Sequence, residues 1–184
     1  WLIGFTAAFL AGATVVPINS WGQAAELAFA VDDCGAQWLL CDDQRAVLLG
    51  EALETQNRLI VYDRAVPGSL RGIDFREAVL DEPPSAVLIP EPSDRCLILY
   101  TSGSTGTPKG VVHCQQALSQ AVFNMMFTGM LTMTVEGGLR DLRGGATQEK
   151  ALLNVPLFHA TGLLGSFVLP LVTGQGIVMI SKWD

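Results

Sequence analysis

The stretch Tyr100-Thr-Ser-Gly-Ser-Thr-Gly-Thr-Pro-Lys-Gly110 gathers the residues of this chain best suited to chemistry on an anion. Thr101, Ser102, Ser104, Thr105 and Thr107 offer hydroxyl donors, and Lys109 offers a mobile positive charge that suits phosphate. Gly103 and Gly106 permit backbone conformations closed to other residues and let a ligand approach the main chain. With them, backbone N–H groups can converge on an anion as a nest. Phosphate binding is therefore the first function the pattern suggests. A plain Ser/Thr/Gly-rich turn has the same composition, so the surroundings must separate the two.

The surroundings favour the anion. The chain is acidic, with 18 Asp and Glu against 11 Lys and Arg and a net charge of −7. Yet no acidic residue occurs from Arg95 to Val135, and the loop lies inside that gap. Like charges repel at short range, so an anion site in an acidic protein must exclude carboxylates locally. Buried strand and helix flanks would also lack acids. Two familiar phosphate motifs do not fit. A P-loop needs Gly, four residues, then Gly-Lys-Ser/Thr, but here Gly103 and Gly106 are three apart and Gly110 follows Lys109. The dinucleotide fingerprint opens a helix, whereas this loop leads into the β-branched pair Val111-Val112.

A second constellation is Pro156-Leu-Phe-His-Ala-Thr-Gly162, after an apolar run over Ala151 to Val155. Loops at the carboxyl ends of parallel strands are where α/β proteins bind ligands. His159 there can donate a hydrogen bond or gate a pocket; a packed core histidine is the other reading. The four cysteines, Cys34, Cys41, Cys96 and Cys114, match no zinc spacing, and His113 and His159 are the only histidines. No metal site is assigned. Reduced, buried thiols are expected, as in a cytoplasmic protein. Cys114 is a poor nucleophile candidate, because its neighbour His113 points to the opposite face of a strand.

The elements that must position these groups alternate. Residues 2–11 read as a small-residue helix and 13–18 as a β-branched strand, with Gly12 dividing a charge-free stretch of 18 residues that would otherwise have the length of a membrane span. A helix over Gln23 to Asp33 ends at Gly35. Gln37 to Cys41 reads as a buried strand, and Asp42 caps a helix reaching Glu54. Arg58 to Tyr62 is a further strand. Turns at Pro67-Gly68 and Gly72, a short helix over Asp74 to Leu80 and proline-punctuated surface chain lead to a strand over 96–100. Beyond the loop, a helix runs from Gln115 to about Phe127, and 132–149 reads as a mobile loop. Met125, Met126, Met130 and Met133 suit soft core filling or an acyl pocket. An apolar helix over Leu163 to Val172 and a strand over Ile177 to Ile180 complete the chain. Strands alternating with helices predict an α/β fold: a mostly parallel sheet with helices on both faces. The apolar fraction of 49% argues against disorder, and the acidic charge argues against a nucleic-acid partner.

Residues 100–110 resemble the signature loop of the adenylate-forming superfamily, which holds acyl-CoA synthetases, peptide-synthetase adenylation domains and firefly luciferases. Pro156 to Gly162 is similar to the next motif of that superfamily. Gly12-Ala-Thr-Val-Val-Pro-Ile-Asn19, Glu26-Leu27 and Asp33-Cys-Gly-Ala36 are similar to its early region. The resemblance is loose at 63–92 and 129–150. It implies that Thr101, Ser102, Gly103, Ser104, Thr105, Gly106, Thr107 and Lys109 close over the β- and γ-phosphates of ATP. It also implies that Phe158, His159 and Gly162 line the acyl and adenylate site. Many members carry a histidine where this chain has Gln115, and His113 is given no role. The implied activity is that of an acyl-CoA synthetase for a fatty or aryl acid, using ATP, Mg²⁺ and coenzyme A. An amino-acid adenylation domain, a non-catalytic nucleotide-binding module and a structural domain with an idle loop are the alternatives. The family's magnesium-binding acid, ribose-binding aspartate, hinge and C-terminal lysine have no match here. Residues 1–184 are thus expected to be an incomplete N-terminal AMP-binding domain without a complete catalytic set, inactive by itself, from a cytoplasmic parent without a membrane span. A homo-oligomer is left open.

Overall fold

The computed structural model describes residues 1–54, 59–62, 72–75, 88–103, 107–135 and 150–180. They fall into two compact units. The first comprises Trp1–Pro90 and Tyr100–Val111, the second Glu91–Leu99 and Val112–Asp184.

The first unit opens with helix α1, Leu2–Leu10. Gly4 faces the Leu40 side chain so closely that a β-carbon would collide with it. Gly12, at φ +76°, turns the chain out of the helix, so the apolar stretch over 1–18 is no single span. No helix among the described residues is long and apolar enough to cross a membrane. The expected strand over 13–18 is reduced to an isolated bridge at Val15. Pro17 explains this, since it has no N–H to extend a ladder.

Helix α2, Ala24–Asp33, starts where the Gln23 N–H donates to the Glu26 carboxylate at 3.0 Å. It ends where Gly35 adopts φ +62° and the Ala36 N–H returns to the Val31 carbonyl. That left-handed exit favours glycine. Strand β1, Trp38–Leu40, follows. Helix α3, Asp43–Glu54, is capped by Asp42, whose carboxylate accepts from the Arg45 N–H at 2.9 Å. Strand β2, Leu59–Tyr62, pairs parallel with β1, and strand β3, Gly72–Asp74, pairs parallel with β2. Gly72 is thus part of a strand and not a turn. The helix expected over Asp74 to Leu80 lies largely outside the described residues. Leu27, Ala46 and Leu49 form the core of this unit, packed with Ile18, Leu39 and Cys41.

Strands β4, Arg95–Thr101, and β5, Lys109–Cys114, form a two-stranded sheet whose loop end belongs to the first unit. The Cys96 thiol reaches the His113 carbonyl and the Thr101 hydroxyl reaches the Lys109 carbonyl, so the two strands run antiparallel. β5 is longer than the two-residue strand expected from Val111-Val112.

In the second unit, helix α4, Gln115–Val135, begins where the Gln115 and Gln116 N–H groups donate to the Asp94 and Pro92 carbonyls, both at 2.9 Å. It runs on through residues expected to be a loop. Thr128, Thr132 and Thr134 return their hydroxyls to the carbonyls four residues back, so these β-branched residues are satisfied within a helix. The rest of that expected loop, 136–149, lies outside the described residues. Strand β6, Lys150–Leu153, pairs parallel with strand β7, Gly176–Met179. Between them lie a π-helix, Thr161–Val168, and a short helix α5, Leu169–Thr173. One α-helix over Leu163 to Val172 was the expectation. Pro170 accounts for the difference, because its missing N–H and its ring disfavour a regular α-turn before it. Leu163, with no exposed surface, is the centre of the π-helix's buried face. Both parallel pairings with a helix between their strands, β1–α3–β2 and β6–β7, follow the α/β pattern.

Candidate functional site

The phosphate-loop candidate sits at the carboxyl end of β4. That strand is held from beneath, because Cys96 and Leu97 are almost wholly buried. Gly103 turns the chain at φ +58°. A β-carbon there would run into the Thr107 carbonyl oxygen, so the loop closes on itself at a distance only glycine allows. Thr101 and Lys109 face each other across the mouth, with the Thr101 hydroxyl donating to the Lys109 carbonyl at 3.4 Å. Thr101, Ser102, Thr107 and Lys109 are all exposed. The structure therefore brings Thr101, Ser102, Gly103, Thr107 and Lys109 into one loop at a strand end. Ser104, Thr105 and Gly106 lie outside the described residues.

The loop's entry is tied to α2. The Tyr100 hydroxyl lies 2.7 Å from the Asp33 carboxylate and 3.2 Å from the Ala30 carbonyl. Burial chiefly, and then the hydrogen bond to Asp33, raise the Tyr100 phenol well above its usual range, so it stays a donor. Sequence reasoning does not single out Asp33 for this role. The available signal is two acids, Asp32 and Asp33, at a helix C-terminus with no base in the last turn. Helix electrostatics disfavour a carboxylate there.

The second candidate lies in the other unit, in the turn after β6. The His159 N–H donates to the Pro156 carbonyl at 3.1 Å, and the Leu163 N–H donates to the His159 carbonyl at 2.9 Å. The Phe158 and His159 rings lie 4.3 Å apart at 48°. His159 is exposed, so it is not a packed core histidine. Gly162 is buried, and a β-carbon there would meet the carbonyl oxygens of Val155, at 2.7 Å, and Pro156. Only glycine lets the π-helix start this close to the turn. π-Helical turns occur often at functional sites. Met125 of α4 lies against Gly165 of the π-helix, while Met130 is mostly exposed. The methionines thus do not form one buried patch.

The His113 carbonyl accepts from the Cys96 thiol, and Gln115 starts α4. All four cysteines are free thiols. Burial, with the neighbouring Cys114 second, raises the Cys96 thiol, and burial pushes Cys41 up to about 12, with Asp42 adding to the rise and Arg45 opposing it. Thiols held protonated are poor nucleophiles. Among the described residues no three His, Cys, Asp or Glu side chains stand together to hold a metal ion.

Comparison with known proteins gives one answer throughout. A model of the AMP-binding enzyme family matches residues 1–184. A feruloyl-CoA synthase of an Amycolatopsis species is 35% identical over 175 residues, which are 95% of this chain and 30% of that protein. A putative long-chain-fatty-acid CoA ligase from Rhodopseudomonas palustris superimposes with a TM-score of 0.75 at 22% identity, over 98% of this chain and 41% of that one. The o-succinylbenzoate coenzyme A synthetase of Bacillus subtilis, in complex with ATP and magnesium ion, superimposes with a TM-score of 0.67 at 20% identity, over 100% of this chain and 41% of that one. This chain therefore spans less than half the length of each of these proteins.

Proposed function

The chain belongs to the AMP-binding enzyme family, and from that premise we propose that it is the phosphate-handling portion of an AMP-forming acid–thiol ligase. Residues 1–184 form part of that ligase's N-terminal domain. In the proposed reaction a carboxylate oxygen attacks the α-phosphorus of ATP. The bond from that phosphorus to the oxygen bridging to the β-phosphate breaks, and pyrophosphate leaves with the electron pair. The sulfur of coenzyme A then attacks the acyl carbon, AMP leaves, and the thiol proton passes to solvent.

One observation carries the proposal: the loop at the end of β4 closes on itself through Gly103, with hydroxyls and Lys109 at its mouth, in a stretch whose sequence from Arg95 to Val135 holds no acid. Backbone N–H groups, the hydroxyls of Thr101, Ser102, Ser104, Thr105 and Thr107, and the ammonium of Lys109 would neutralise charge growing on the leaving pyrophosphate. Such stabilisation is electrostatic. The Thr101 hydroxyl must rotate away from the Lys109 carbonyl to donate to phosphate. Exposure of these groups suits a loop that closes over ATP and opens to release product. Magnesium accompanies ATP in the Bacillus relative. Without a cluster of ligands among the described residues, no residue is assigned to the metal here.

Phe158, His159 and Gly162 form the proposed acyl and adenylate wall, with the apolar π-helix behind them. That wall, and relatives named for feruloyl and long-chain fatty acids, support a fatty or aryl acid as substrate. Free, largely shielded thiols support a reducing compartment such as the cytoplasm. Acid-dependent exchange of labelled pyrophosphate into ATP by the full-length parent protein is the test, run with fatty, aryl and amino acids. Exchange with the first two classes supports the proposal. Exchange with amino acids alone would move the protein to peptide-synthetase chemistry, and no exchange with any acid would defeat the ligase reading.

A further inference from the structure

Tyr100 stands immediately before the proposed phosphate loop, yet its hydroxyl is engaged at the C-terminal end of α2. The acceptors are the Asp33 carboxylate at 2.7 Å and the Ala30 carbonyl at 3.2 Å, 67 and 70 positions earlier in the chain. Asp33 is the last residue of α2, whose final turn holds no basic residue. Unsatisfied carbonyls give that end of a helix negative character, so a carboxylate there is locally unfavourable. The Tyr100 hydroxyl supplies a donor, and an O–H group facing an ionised oxygen at this distance makes a charge-assisted bond. Thr101, the next residue, makes the cross-loop bond to the Lys109 carbonyl. The two bonds act in series. The first fixes the strand entering the loop to α2, and the second fixes the strand leaving the loop to the one entering it.

We propose that Asp33 and Tyr100 are positioning residues: their hydrogen bond sets the two arms of the loop, 101–103 and 107–109, in register to receive the phosphates of ATP, although neither side chain contacts the nucleotide. This rests on the phosphate reading of the loop given above. The bond from Tyr100 offsets the unfavourable helix electrostatics at Asp33 and at the same time holds the entry of the phosphate loop.

Hydrogen–deuterium exchange of the protein without nucleotide tests the positioning directly, with KM values for ATP and for the acid measured on the same preparations. The variants are Tyr100→Phe, Asp33→Ala, their double, and Asp33→Asn, which keeps an acceptor oxygen. Amides of 101–103 and 107–110 exchange about ten- to a hundredfold faster in Tyr100→Phe and in Asp33→Ala, the range expected for loss of a hydrogen bond to a charged group. The double variant is no faster than either single one, and Asp33→Asn restores most of the protection. The KM for ATP rises by a similar factor, while the KM for the acid and the melting temperature hold. Unchanged loop exchange in Tyr100→Phe overturns the inference, as does faster loop exchange with an unaltered KM for ATP. A full-length wild-type parent without pyrophosphate exchange defeats the ligase reading alone, and the deuterium data then still decide whether Asp33 and Tyr100 hold the loop.

Discussion

Gly103→Ala separates a glycine that the loop's geometry needs from one that merely suits a turn. Gly103 sits at φ +58°, and the left-handed region costs a non-glycine residue about 1–2 kcal/mol. Its new methyl group would also be driven into the Thr107 carbonyl oxygen, a backbone atom that cannot swing aside as a side chain can. Forcing extra atoms into a filled space adds about 1–3 kcal/mol. The sum, roughly 2–5 kcal/mol, falls on the loop and not on the core. ATP binding should then weaken by at least about thirtyfold, the equivalent of the lower bound. Gly174→Ala is the control. Gly174 has φ +72° but open space around it, so only the conformational cost applies. That variant should lose about 1–2 kcal/mol of stability and bind ATP like wild type. Isothermal titration with ATP and thermal melting on both variants decide the matter. Gly103→Ala binding ATP within about threefold of wild type, a difference under 1 kcal/mol, would refute the close-approach reasoning. So would equal damage to ATP binding from both variants.

Gly162→Ala places a methyl group against the Val155 and Pro156 carbonyls. It should destabilise the second unit by about 1–3 kcal/mol and, by moving the Phe158–His159 turn, raise the KM for the acid more than that for ATP. Chemical denaturation and steady-state kinetics read the two effects, and a silent variant would remove the need for glycine there. Cys41 gives a pH signature. Its thiol ionises near 9.0 when unfolded but only at about 12 in the fold, chiefly through burial. The stability this contributes is complete below pH 9.0 and is lost as the pH rises towards about 12. Urea denaturation across that window should therefore show a shallower fall for Cys41→Ala than for wild type, and identical slopes would contradict the burial of the thiol.

Residue types announced the chemistry more clearly than the shape. Gly103 could be named for its freedom, since the hydroxyls, lysine and missing acids around it all point to an anion. Its collision with the Thr107 carbonyl could not, because that contact depends on how tightly the loop folds back. Alternation of apolar runs with capped helices located α2, β1 and α3, where Asp42 and Gly35 act as punctuation. Local pattern failed where distant atoms or prolines decide. Pro17 cuts a β-branched run down to a bridge. Pro170 ends a π-helix in a stretch that reads as one α-helix. Threonine back-bonding carries α4 eight residues past Phe127 to Val135. The Asp33–Tyr100 bond joins residues 67 positions apart, beyond the reach of any spacing rule. Residues 136–149, and Ser104, Thr105 and Gly106 within the loop, lie outside the described residues, so the expectations placed on them stand as they were.

The central claim is that the loop over 101–109 grips the terminal phosphates of ATP. Affinities for ATP and for AMP, measured by titration calorimetry on wild type and on Lys109→Ala, test it most directly. AMP lacks the phosphates the loop should hold, so it serves as the internal reference. Wild type should bind ATP more tightly than AMP, and Lys109→Ala should lose about tenfold or more in affinity for ATP, the size expected for a hydrogen bond to a charged group, with AMP binding and melting temperature unchanged. Equal losses for both nucleotides, or an unaltered affinity for ATP, would contradict the assignment of this loop to the pyrophosphate end of the substrate.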